Sequence, residues 1–164
     1  MALQPTIHGH QYMVSSGHHL ATQAGIRIFE AGGNAIDAGV AAGIALGVVH
    51  SEMVQIAGVA PIMIYHAETN RVVTISGLGW WPKQASLEYL IEQHQGIPLG
   101  VLRTVVPAAP DAWIRALLEF GTLSFAEVAA PAIEFARDGF PMHHVMRDYV
   151  DAYQDQYRQW SQNA

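Results

Sequence analysis

The chain has no cysteine, so a disulfide framework and thiol catalysis are both closed to it, and the absence is compatible with a reducing compartment. Charge is scarce as well. Only 13% of the 164 residues are charged and the formal net charge is −6, which leaves no basic footprint for nucleic acid or an anionic membrane. Neither is expected as a partner. Lys83 is the only lysine, and no glycine precedes it in a Gly-Lys-Ser/Thr string of the phosphate-loop kind. Gly77-Leu78-Gly79 is followed by Trp80-Trp81-Pro82 where a dinucleotide fingerprint needs a third glycine and a helix start. No cofactor is expected. The longest apolar stretch, residues 38–49, falls short of the roughly 20 residues a membrane span requires. It reads as a buried helix. Residues 1–11 carry neither the basic start nor the apolar run of a signal peptide, and the expectation is a cytoplasmic protein.

Nine histidines raise the question of a metal. His18 and His19 are adjacent, as are His143 and His144, and neighbours on a helix point about 100° apart. No His-x-x-x-His pair with a helical acid occurs, so the zinc-hydrolase spacing is missing and no metal is expected. His50-Ser51-Glu52 cannot form a triad by itself, because the base must approach the nucleophile from across a fold.

What is present is apolar: 51% of the residues are hydrophobic, enough for one core, so residues 1–164 are read as a single domain or part of one. Residues 11–16 have strand composition and end in the Ser15-Ser16-Gly17 turn cluster. From residue 19 to 31, Leu20, Ala24, Ile28 and Ala31 recur at helical spacing, and Gly32-Gly33 supplies a left-handed stop. Asn34 is placed to cap a second helix over residues 35–49, with Asp37 in its first turn. Gly39, Gly43 and Gly47 share one ridge of that helix. Each interior glycine costs about 1 kcal/mol relative to alanine, so the ridge predicts a close backbone neighbour.

Residues 61–66 and 71–76 read as an antiparallel hairpin, residues 85–93 as a helix and residues 103–106 as a further strand. A helix over residues 111–120 stops at Gly121. Ser124 and Glu127 form a capping box for another, which Pro131 is expected to break or restart. Met146, Tyr149, Tyr153, Tyr157 and Trp160 then repeat at helical spacing as an aromatic stripe, suited to a core or a subunit contact.

Taken as one string, residues 13–50 (MVSSGHHLATQAGIRIFEAGGNAIDAGVAAGIALGVVH) resemble the opening of the gamma-glutamyltranspeptidase family, whose GGNA-[VI]-DA turn leads into a small-residue-rich helix. Further along, the proline turn Val105-Val106-Pro107, the string Phe120-Gly121-Thr122-Leu123 and residues 130–141 (APAIEFARDGFP) resemble family segments in the same order. The resemblance spans about residues 12–142.

That resemblance implies an α+β chain forming part of a four-layer α-β-β-α N-terminal-nucleophile hydrolase, completed by other segments or chains. In the family a precursor cuts itself, and the new N-terminal threonine of the later segment attacks the substrate with its own α-amine as base. A free α-amine has a pKa of about 7.7–8.0, close enough to neutrality to accept the hydroxyl proton. Thr22, Thr69, Thr74, Thr104 and Thr122 are internal, so no catalytic residue is expected here and the nucleophile is expected on a partner segment. The implied substrate is a small-molecule amide.

The substrate-binding residues implied by the family alignment are Leu78, Gly79, Trp80 and Trp81, at the corner that ends in Pro82. Transpeptidases carry an arginine there for the glutamyl α-carboxylate. Here Leu78 occupies its place, and leucine offers no charged fork. Acylase-like members often read Gly-Ser-Gly-Arg-Ala-Pro at this corner; this chain keeps both glycines and has Trp80 for the arginine. The family's glycine-rich loop is altered too, reading QIAGVAP over residues 55–61. An acylase or amidase subunit is the first reading. A true gamma-glutamyl enzyme and a non-catalytic scaffold subunit of the same fold are the alternatives.

Overall fold

A computed structural model describes residues 6–163 of the chain. Its helices start where side chains replace missing backbone partners. α1 (His19–Glu30) opens with the His18 ring accepting the Leu20 N–H and closes at Ala31, after which Gly32 turns the chain at φ 92°. α2 (Ala35–Val49) opens with a reciprocal capping box. Asn34 Oδ1 accepts the N–H groups of Ile36 at 2.8 Å and Asp37 at 3.1 Å, and the Asp37 carboxylate accepts the Asn34 N–H at 2.8 Å.

α2 is the element on which α1, α4 and α5 pack. Ala38, Val40, Ala41, Ile44, Ala45 and Val49 on it are buried with Ala21, Ala24 and Ile28 of α1. α4 (Ala109–Phe120) contributes Trp113, Ala116 and Leu117, and α5 (Phe125–Asp138) contributes Val128, Ala129 and Ala132. The alanines bring the helix axes together. A bidentate pair, Arg27 to Glu134 at 2.6 and 3.0 Å, joins α1 to α5 at the surface.

β1 (Ile62–His66) and β2 (Arg71–Ile75) form an antiparallel pair with Ile64 opposite Val73, turned through Asn70 at φ 51°. Alternation decides its two faces. Ile62, Ile64 and Ile75 point to the helical core, whereas Met63, Tyr65 and Val72 are exposed on the other side. α3 (Leu87–His94), capped by Ser86, follows the hairpin. α6 (His144–Tyr157), capped by His143, comes last, with Met146 as its buried residue. None of the described helices is long and apolar enough to cross a membrane.

Four expectations need correction. Residues 11–16 join no ladder, and among the described residues the sheet contains only β1 and β2. Residues 103–106 are not a strand either: Arg103 closes the short helical turn Val101–Arg103, and the Val106 N–H goes to the Trp80 carbonyl at 2.8 Å. Pro131 lies inside an unbroken α5. Its missing hydrogen bond costs about 3 kcal/mol, which the burial of Val128, Ala129, Pro131 and Ala132 against α2 offsets.

The glycine ridge of α2 meets side chains at its closest approaches, and the nearest backbone atom, the Ile56 nitrogen, would stand an ordinary 3.6 Å from a Cβ on Gly47. A Cβ on Gly43 would stand 3.2 Å from Trp113 Nε1, one on Gly47 would stand 2.9 Å from Ile56 Cγ1, and one on Gly39 would meet nothing within 4 Å. The close backbone approach falls on α1, where a Cβ on Gly25 would stand 3.0 Å from the Ala38 carbonyl oxygen.

The fully buried Asp37 carboxylate ties the start of α2 to the turn between α4 and α5. It accepts from Thr122 Oγ1 at 2.7 Å, from the Thr122 N–H at 3.1 Å and from the Leu123 N–H at 3.3 Å. Asn34 Nδ2 donates to the Phe120 carbonyl at 2.6 Å, closing the same junction. Gly121 lacks a side chain because a Cβ there would press on Asp37 Oδ1 at 2.7 Å.

Burial by itself pushes the Asp37 pKa up, but the bonds from the Thr122 hydroxyl and from the backbone of Asn34, Thr122 and Leu123 outweigh it and hold the carboxyl below its ordinary value. Its stabilisation is therefore complete above the unfolded aspartate pKa and is lost as pH falls through the lower folded value. Urea unfolding of the complete polypeptide between about pH 6 and pH 2 should show this acid limb, reduced in Asp37→Asn. Asp37→Ala strands several buried donors and should cost about 3 kcal/mol or more, at about 1–3 kcal/mol for each unsatisfied group.

The ridge makes a paired prediction. Gly43→Leu displaces the Trp113 indole and should cost about 1–3 kcal/mol. Gly39→Ala fills open space on a helix and should add about 0.5–1 kcal/mol. Thermal melts of the two variants should move in opposite directions.

Candidate functional site

Three stretches distant in sequence meet at the end of β2. Gly77 at φ 52° and Gly79 at φ 73° turn the corner in a region that side chains resist. A Cβ on Gly77 would run into the Ala60 carbonyl, and one on Gly79 into that of Val106. Backbone bonds fasten the same three stretches. Ala60 N–H donates to Gly77 O at 2.8 Å, Val106 N–H to Trp80 O at 2.8 Å, and the N–H groups of Ala108 and Ala109 both reach Gly58 O at 3.1 Å. The corner is thus clamped between the loop of residues 55–61 and the proline turn of residues 105–107.

The clamp leaves the expected site residues outward. Leu78 is 54% exposed and Trp80 is 84% exposed, with Trp81 about half exposed. Trp80 therefore does not pack beneath the hairpin. Arg103 lies elsewhere, lining a cavity of about 640 Å³ with Gln55, Gly58, Tyr149, Tyr153 and Trp160, whose walls do not include residues 78–81. The aromatic stripe of α6 forms one wall of that cavity and is not a core. Its far end is seated on Gly100, where a Cβ would stand 2.9 Å from Trp160 Cζ2.

A second cluster escaped the sequence reading. His18 and His50 ring centroids are 6.4 Å apart, and His143 lies 5.2 Å from the first and 5.3 Å from the second. Glu52 sits among them with its Oε1 2.7 Å from His50 Nδ1 and 3.3 Å from His143 Nε2. Burial, then the neighbouring imidazoles His19, His143 and His50, hold His18 below the ordinary histidine pKa, with Glu52 opposing them. Spacing rules test residues within one element. These come from the N-cap of α1, the C-cap of α2 and the N-cap of α6, and the usable signal was their position at helix boundaries.

Comparison with known proteins accounts for the motifs that converge here. The sequence profile of the family described as Gamma-glutamyltranspeptidase matches residues 21–164. The glutathione hydrolase-like YwrD proenzyme of Bacillus subtilis (strain 168) is 37% identical over 142 residues, covering 85% of this chain and 27% of that protein. The acylase ACY 1 proenzyme of Pseudomonas sp. (strain SE83) is 39% identical over 144 residues, covering 80% and 25%. The chain spans about a quarter of the length of these relatives.

Among solved structures, Helicobacter pylori gamma-glutamyltranspeptidase superposes with a TM-score of 0.88 at 26% identity, over 97% of this chain and 47% of that one. Cephalosporin acylase from Bacillus halodurans gives 0.79 at 27% identity, over 97% and 32%. The helices and hairpin described above therefore form part of the N-terminal-nucleophile hydrolase fold that the resemblance implied. By sequence and by fold, the chain belongs to the gamma-glutamyltranspeptidase family.

Proposed function

We propose that this chain is the non-nucleophile part of an amide-cleaving acylase or amidase, that an N-terminal threonine on a partner segment carries the chemistry, and that gamma-glutamyl compounds are not its favoured donors. The observation that supports this most is the corner itself. It turns at Gly77 and Gly79, is fastened by backbone bonds from Ala60 and Val106, and presents Leu78 and Trp80, both exposed and both uncharged. A carboxylate taken out of water without a paired cation loses several kcal/mol, on the order of 3–5 for a broken buried pair. Leu78 supplies no cation. An indole supplies flat apolar area for an aromatic, heterocyclic or alkyl acyl group.

In this reading the partner's threonine hydroxyl attacks the amide carbonyl, its α-amine takes the hydroxyl proton and passes it to the leaving amine, and water then releases the acyl group. The exposed apolar face of the hairpin, with Met63, Tyr65 and Val72, suits a partner segment that lays a second sheet over it. The relative named an acylase favours this donor class. The relative named glutathione hydrolase-like favours a second reading, true gamma-glutamyl cleavage. That reading needs a cation from another place, and Arg103 is the nearest arginine along the chain after the corner.

Intact mass and N-terminal sequencing of every polypeptide in the purified assembly should reveal one that begins with threonine; a partner with no N-terminal Thr, Ser or Cys would point to a scaffold. The parent assembly should turn over apolar acyl amides faster than a gamma-glutamyl anilide. Leu78→Arg should raise kcat/KM for the anilide about tenfold or more, the worth of a charged hydrogen bond. Trp80→Ala should lower kcat/KM for the apolar amides by about tenfold. Efficient anilide cleavage that ignores Trp80→Ala would overturn the donor assignment.

A further inference from the structure

His50, Glu52 and His143 meet where α2 ends and α6 begins. One nitrogen or oxygen from each lies within 4.8 Å of those of the other two. The Glu52 side chain is 3% exposed, and its ion-pair partners among the described residues are these two imidazoles. Even so, Glu52 Oε2 has no hydrogen-bond partner among the described residues, and neither has His143 Nε2, which lies 3.3 Å from Oε1 without hydrogen-bond alignment. Buried polar atoms are nearly always paired, and an unpaired carboxylate oxygen in a dry site is among the costliest exceptions. Both orphaned atoms belong to the same three-residue cluster.

We propose that His50, Glu52 and His143 form a binding site for one divalent transition-metal cation, with zinc as the best match. Two imidazole nitrogens and a carboxylate oxygen are a zinc donor set, whereas calcium and magnesium prefer oxygen throughout. Zinc–ligand bonds of about 2.0–2.2 Å place neighbouring atoms of a tetrahedral site about 3.3–3.5 Å apart. His143 Nε2 and Glu52 Oε1 are already 3.3 Å apart. The 2.7 Å contact between His50 Nδ1 and Oε1 is a hydrogen bond that a cation between the two atoms would replace, their separation widening to that range. The fourth position is left to water or to another segment.

Ligation sets the tautomers. His143 Nδ1 accepts the Met146 N–H at 3.3 Å, so the neutral ring carries its proton on Nε2, and binding there moves that proton to Nδ1 and gives up this long cap. His18, whose Nδ1 accepts the Leu20 N–H at 3.2 Å, is a wall of the site, outside the three residues whose ligand atoms lie within 4.8 Å of one another. The role assigned is structural. Met146 is the buried residue of α6, and a cation shared by its N-cap and the end of α2 would fasten that helix and the aromatic wall it carries. The assignment is independent of which amide is cleaved.

The test uses the complete assembly, treated with chelator and exchanged into metal-free buffer. Zinc chloride should then bind at one equivalent per chain by elemental analysis and raise Tm, and Co²⁺ in its place should give the visible absorption of a four-coordinate nitrogen and oxygen site. Glu52→Gln and His143→Ala should each weaken zinc binding about a hundredfold or more, since changes outside the ligand shell alone cost about 10–100-fold. His144→Ala, at an exposed neighbour, should bind as the parent does. Should His143→Ala fail to fold, the isosteric Glu52→Gln decides. A parent assembly that binds no zinc, a cobalt spectrum of the aqua ion alone, or binding unaffected by Glu52→Gln would each overturn the proposal.

Discussion

A single buried carboxylate organises this chain. Asp37 sits in the first turn of α2 and gathers donors from Asn34, Thr122 and Leu123, so the GGNAID turn and the FGTL turn become one junction. An ionised group can lie fully buried only when hydrogen bonds replace its water, and here they also depress its pKa. The same contacts explain the small residues around it. Gly121 leaves room for the carboxylate, and Gly33 lets Ile28 and Leu123 close over the turn. Two motifs nearly ninety positions apart are halves of one packing solution.

From that junction the rest follows in space. With its N-terminus pinned, α2 becomes the surface on which α1, α4 and α5 settle, and the hairpin joins the same core, with β2 against α4. Trp113 reaches α2 at Gly43, which is why a glycine stands there. The hairpin is then oriented so that the strand leaving it turns at Gly77 and Gly79 against two other loops. The candidate substrate corner is rigid because its backbone is zipped on both sides, and its side chains are free because none of them is needed for that zipping. The backbone of the corner does the fastening, and the side chains of Leu78, Trp80 and Trp81 are left exposed.

Helix α6 stands apart from this economy. Its stripe of Tyr149, Tyr153 and Tyr157, continued beyond its end by Trp160, lines an open cavity, and its anchors include Met146, the Gly100 contact with Trp160 and the histidine junction at its start. A helix with so little buried area depends on specific anchors at its ends.

Elements whose signals are local were legible in the sequence. The Asn34 cap, the Ser124 capping box, the Gly32 turn, the hairpin and the stop at Gly121 each involve residues a few positions apart, and the family motifs carried the fold class. What depends on distant partners was not. Residues 11–16 and 103–106 have strand composition, yet a strand exists only where another chain segment completes the ladder. Pro131 should interrupt a helix by itself, but burial against α2 carries α5 through it. The glycine ridge correctly marked a crowded helix and named the wrong neighbour, because only tertiary packing chooses between a backbone and an indole. His143 looked unconnected to His50 and Glu52 for the same reason: side chains at two helix boundaries acquire a common site only when the end of α2 and the start of α6 are brought together.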